Sequence, residues 1–217
     1  MREIFQTELR TLMLDLVRMA RLACEMMTSA STALHQGDLA LAELVISRDD
    51  DMNALHDDTE KRCISLLALQ APVAADLRMV VAAMHAVGDL ERMGNLAQHV
   101  AKITRLKHPH LSIPGSVRPV FARMSLLACN LARDAATAIE ERDPLSGHRL
   151  AEADDEVDAL RRQLFGILFA ESWSHGVEPA VDAALVGRYY ERFADHAVAI
   201  ARQVGYLATG ELPGEAL

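Results

Sequence analysis

Of 217 residues, 51% are hydrophobic but only 4% aromatic, so the core must be filled by Leu, Ala, Val, Ile and Met, a palette that suits helices better than sheets. Acidic residues (31) outnumber basic ones (22) for a formal charge of −9, and no run of Lys or Arg offsets it, which argues against nucleic acid or anionic lipid as a partner. No stretch approaches the ~20 uninterrupted apolar residues that span a bilayer, and Cys24, Cys63 and Cys129, odd in number and set apart in apolar stretches, read as buried thiols of a reducing, cytoplasmic setting rather than a disulfide framework.

Apolar residues at helical spacing divide the chain into about six long segments. The first covers roughly residues 4–34, with Leu9, Leu12, Met13, Leu16, Met19 and Ala20 on one face, and stops at His35-Gln36-Gly37. Asp38 opens a second, to about residue 69, which Pro72 terminates because proline lacks the donor a continuing helix needs. A third covers 73–107. Pro109, Pro114 and Gly115 then form the strongest boundary, expected to separate residues 1–110 from 111–217. The fourth segment covers 117–141, Asp143-Pro144 interrupts, the fifth covers 145–171, and Ser174-His175-Gly176 leads to a sixth over 179–209. Long helices joined by short turns pack side by side as antiparallel bundles.

The two halves repeat one another. Glu91-Arg92-Met93-Gly94-Asn95 matches Glu191-Arg192-Phe193-Ala194-Asp195 at an offset of 100, while Asp49 through Leu55 matches Asp154 through Leu160 at an offset of 105. The expected fold is therefore all-α: two tandem three-helix bundles with corresponding helices in corresponding places.

Within each unit the matched blocks set two oxygen-bearing side chains four residues apart on each of two successive helices. These are Asp154 with Asp158 and Glu191 with Asp195 in the C-terminal unit, and Asp49 with Asn53 and Glu91 with Asn95 in the N-terminal one. Residues four apart share a helix face, so two facing pairs would converge four hard donors suited to Mg, Ca, Mn or Fe. The plainer reading of an acidic pair is a solvated face. Leu77, Val80, Met84, Val87 and Glu91 follow one heptad seam, so Glu91 needs a partner, either a cation or an arginine such as Arg92 or Arg62. His99 and His196 lie beside these blocks as further candidate ligands or satisfied side chains; the ten methionines read as core filler.

No Gly-x-Gly-x-x-Gly, Gly-x-x-x-x-Gly-Lys or Gly-x-Ser-x-Gly occurs, so nucleotide cradling and a hydrolase elbow lack support. No acidic residue stands three before any of the nine histidines, which removes the Glu-x-x-His signature of di-iron bundles. The chain is expected not to be an enzyme and to use no organic cofactor. The alternative from another class is a carboxylate-bridged metalloenzyme or metal store built on the same acids.

Gln70-Ala71-Pro72-Val73-Ala74-Ala75-Asp76-Leu77-Arg78 followed by Asp89-Leu90-Glu91-Arg92-Met93-Gly94-Asn95, with Tyr190-Glu191-Arg192-Phe193-Ala194-Asp195 in the second half, resembles the PhoU family, and the resemblance runs from Met1-Arg2-Glu3-Ile4-Phe5 to about Leu207. It implies two similar three-helix bundles and a negative regulator of high-affinity phosphate uptake. Such a regulator would contact the ATPase subunit of a phosphate ABC transporter and a sensor histidine kinase. The expected location is the cytoplasm, at the inner face of the membrane through partners alone, with no nucleic acid bound and a second copy forming a homodimer. The resemblance also implies a multinuclear cluster of Fe, Mn, Mg or Zn on paired Glu/Asp-x-x-x-Asp motifs, here Asp154, Asp158, Glu191 and Asp195. Asn53 and Asn95 replace two motif aspartates in the N-terminal half, so the C-terminal half is the expected site.

Overall fold

Turn chemistry sets the ends of the helices. Gly37, at φ +69°, closes the first helix by letting its own N–H and that of Asp38 both bond the Ala33 carbonyl, at 2.8 and 3.1 Å. Asp38 then caps the next helix, its carboxylate accepting the Leu41 N–H at 3.0 Å. The computed structural model describes residues 2–210, and every regular element in that range is a helix: α1 (Arg2–Gln36), α2 (Leu39–Ser47), α3 (Asp49–Gln70), α4 (Ala74–Lys107), α5 (Arg118–Glu141), α6 (Ser146–Leu168) and α7 (Val177–Thr209).

The segment expected as one helix over 38–69 is jogged at Arg48. Ser47 Oγ bonds the Leu44 carbonyl at 2.9 Å, and Asp49-Asp50-Asp51 supply the negative charge that favours a fresh helix start. The ladder still bridges the jog, with Arg48 N bonding Leu44 O and Met52 N bonding Arg48 O. At the other end, α6 stops at Leu168 rather than near 171, and α7 begins at Val177, two residues early. Pro179 is absorbed into the first turn of α7, where no intrahelical donor is needed.

Each half is a three-helix unit: α1, α2–α3 and α4, then α5, α6 and α7. The units pack through α1 on α5 and α4 on α7, making a central four-helix layer, with α2–α3 covering its first half and α6 its second. Both cross-unit pairings are antiparallel. Arg21 meets Glu140 and Cys24 meets Cys129 between α1 and α5. Between α4 and α7, Lys107 meets Asp182 at 2.7 Å, the His99 ring stacks on Tyr189, and His196 meets Asp89. The repeats are thus related by a pseudo-two-fold axis, and one hydrophobic core runs across both, with Met19, Met26, Met27, Met52, Phe121, Tyr190 and Phe193 fully buried in it.

The expected apolar seam on α4 holds only in part. Val80 and Val87 are buried, but Leu77 and Met84 are exposed at 40% and 36%. With α1, α2, α3 and α7 all packed on α4, the buried face is set by several neighbours rather than by one heptad partner.

Candidate metal centre

α6 and α7 run antiparallel in contact, and their acidic pairs act on one another. Asp154 is pushed up to about 7, first by burial and then by the charges of Asp195, Asp158, Asp155 and Glu191. Asp195 is raised as well, by burial, Glu191 and Asp158, against the pull of Arg192 and Arg188. Asp154 Oδ1 is buried without a hydrogen-bond partner. The four sequence-derived residues of this unit therefore form one electrostatic group, and its members are hard oxygen donors that repel each other.

Two arginines complete the group, and neither had been singled out from the sequence. Glu191, only 8% exposed, is held by Arg188 one turn before it on α7 and by Arg161 of α6 at 3.2 Å. The spacing from Arg188 to Glu191 was readable as a same-face pair; the bridge from Arg161 depends on how α6 and α7 are aligned. Asp195 lies 3.7 Å from Arg192. Among the described residues, no three His, Cys, Asp or Glu side chains close around a single point.

The N-terminal set shares one feature, Asp49 Oδ1 being buried without a hydrogen-bond partner, and is otherwise built differently. Asn95 donates to Glu91 Oε1 and Arg92 lies 3.7 Å from Glu91 Oε2, so Glu91 already has partners. Arg62, the other arginine considered for it, instead bridges Glu8 (2.6 Å) and Asp15 (3.2 Å) on α1. Asp49 is raised by burial, then drawn back by Lys102 and a hydrogen bond from Asn53. Lys102, absent from the sequence expectations, supplies this half with an internal cation.

The two histidines are engaged elsewhere. His99 stacks on Tyr189 with ring centroids 5.2 Å apart, and burial followed by the Lys102 charge lowers its pKa against the opposing pull of Asp49. His196 Nδ1 lies 2.9 Å from Asp89 Oδ1, joining α7 to α4.

The family model for the PhoU domain matches this chain twice, over residues 16–104 and 121–204, which are the two three-helix units. The chain belongs to the PhoU family. A PhoU homolog from Mycobacterium tuberculosis, named a phosphate-specific transport system accessory protein, is 45% identical over 98% of this chain and 100% of its own length. The crystal structure of PhoU from Pseudomonas aeruginosa matches with a TM-score of 0.85 at 25% identity, covering 95% of this chain and 100% of that one. PhoU from Streptococcus pneumoniae, a phosphate transport system regulatory protein, matches with a TM-score of 0.84 at 28% identity, over 96% and 99%. The all-helical, twice-repeated architecture expected from the sequence is thus the PhoU architecture, and its relatives are named as accessory and regulatory proteins rather than enzymes. No helix among the described residues is long and apolar enough to cross a membrane.

Proposed function

We propose that this PhoU-family chain is a cytoplasmic adaptor that restrains high-affinity phosphate uptake and phosphate-starvation signalling. It does so by docking on the ATPase subunit of a phosphate ABC transporter and on a sensor histidine kinase, as a homodimer and at the membrane only through those partners. In this reading a hard cation, or a small cluster of Fe, Mn, Mg or Zn, is held by Asp154, Asp158, Glu191 and Asp195. The observation that carries it is the group of carboxylates on α6 and α7, one of them buried and unpartnered at Asp154 Oδ1, whose repulsion a cation would relieve. When bound, the metal would supply fixed positive charge and tie α6 to α7, stiffening the docking surface. Glu191 would be shared with Arg161 and Arg188, which hold it in place.

The reading is tested by deleting the gene and following phosphate uptake in phosphate-replete cells. The expected result is constitutive uptake, restored by the wild-type gene; unchanged phosphate control in the deletion strain would reject the adaptor. Metal content of the purified protein and of an Asp154→Asn, Asp195→Asn double variant tests the cation part separately, with metal expected in the first and lost in the second.

A further inference from the structure

Cys24 on α1 and Cys129 on α5 stand 105 residues apart, the offset that carries Asp49 onto Asp154, so they occupy the same position in the two repeats. Two equivalent helices crossing on a pseudo-two-fold axis bring a residue face to face with its own counterpart only where the axis passes. On α1 and α5 the two cysteines lie beside that place. The Cys24 thiol donates to the Cys129 carbonyl at 3.6 Å, and Thr28, one turn further along α1, donates to Cys129 Sγ at 3.3 Å.

Cys24 is half-buried and Cys129 buried, each in the wall of a cleft that opens to the surface. Cys24 lines a cleft of about 370 Å³ with Glu25, Arg48 and Arg133, and Cys129 lines a second of about 510 Å³ with Thr32, His35 and Arg133. Arg133 is common to both clefts and places a guanidinium charge near the two thiols. Cys63 stands apart from the pair on α3: it is fully buried, and despite the nearby Arg62 charge its thiol is pushed up to about 11.

We propose that Cys24 and Cys129 are a dithiol that a hydroperoxide converts reversibly to a disulfide, linking the two repeats beside their axis. The Cys24 thiolate attacks one peroxide oxygen, the O–O bond breaks, and the leaving oxygen departs as water or an alcohol with the thiol proton. The resulting sulfenic acid is attacked at sulfur by the Cys129 thiolate, which forms the S–S bond and expels hydroxide; this leaves as water with the second thiol proton. Two thiols thereby lose two electrons and the peroxide gains them, and a thiol reductant reverses the change.

Burial raises both thiols above their ordinary range, while Arg133 and the Thr28 hydroxyl act to lower them. The two thiols therefore react with a hydroperoxide more slowly than an exposed cysteine would. Once formed, the bond would hold α1 against α5 and fix the orientation of one bundle on the other.

The test uses the full-length protein treated with hydrogen peroxide and digested without reductant. The expected product is one linked peptide joining Cys24 to Cys129 within a single chain, with Cys63 still free and the link removed by dithiothreitol. Closing so long a loop should raise Tm by roughly 10 °C; Cys24→Ser should abolish the rise and Cys63→Ser should keep it. Unlinked Cys24 and Cys129 peptides, separate oxidation of each thiol to sulfinic acid, or a disulfide between two chains would each overturn the proposal.

Discussion

Asp154 is the residue whose environment departs most from what its type prefers. An ordinary aspartate titrates near 3.8, but here protonation persists to about 7 because the side chain is partly buried among Asp195, Asp158, Asp155 and Glu191. The folded state therefore holds a proton that the unfolded chain releases between those two values, so metal-free stability falls as pH rises through that window. Asp154→Asn should leave Tm near pH 4 unchanged and raise it at pH 8. Solvent screening of a partly exposed group holds the gain to about 1 kcal/mol, or roughly 2–4 °C. Thermal melts of chelator-treated protein across pH would show it, and equal shifts at both ends would contradict the assignment. The repeated acids were legible in the sequence as i, i+4 pairs. Which of them is buried and which is bound by arginine was not, because Arg161 reaches Glu191 from a helix thirty residues earlier in the chain.

At the scale of the element, the helix stops are not all made by residues suited to them. α5 ends with Arg142 at φ +53° and α3 with Ala71 at φ +42°, both in the left-handed region where a Cβ is strained. Arg142→Gly should therefore stabilise the fold by roughly 0.5–1 kcal/mol, read as a higher denaturant midpoint with an unchanged m-value. The helix-to-helix fit is close at Gly94, where an added Cβ would come within 2.9 Å of Met52 Cγ. The repeat places Ala194 and Val157 at the corresponding positions, a larger residue on one helix offset by a smaller one on the other. Element ends with a glycine, proline or aspartate marker followed the sequence closely. The jog at Arg48 did not, because it arises from a serine hydroxyl bonding a carbonyl and from a run of aspartates, with no glycine or proline to mark a break.

For the whole molecule, the decisive feature is that α1, α4, α5 and α7 share one core, so neither repeat buries its apolar face without the other. Thermal unfolding should accordingly be a single cooperative transition, with calorimetric and van't Hoff enthalpies equal, even though the chain divides near Pro114. Two separated transitions would show that the bundles are independent. The sequence by itself determined helical class, the three-helix repeat, the positions of most breaks and the family, because composition, 3.6-residue periodicity and proline are local properties readable along one chain. Only the tertiary structure decided that Glu191 is clasped by Arg161, that Lys102 acts on Asp49, and that Cys24 meets Cys129. These depend on the register of helices brought together from distant parts of the chain, and that register is set by packing of the shared core rather than by any single segment.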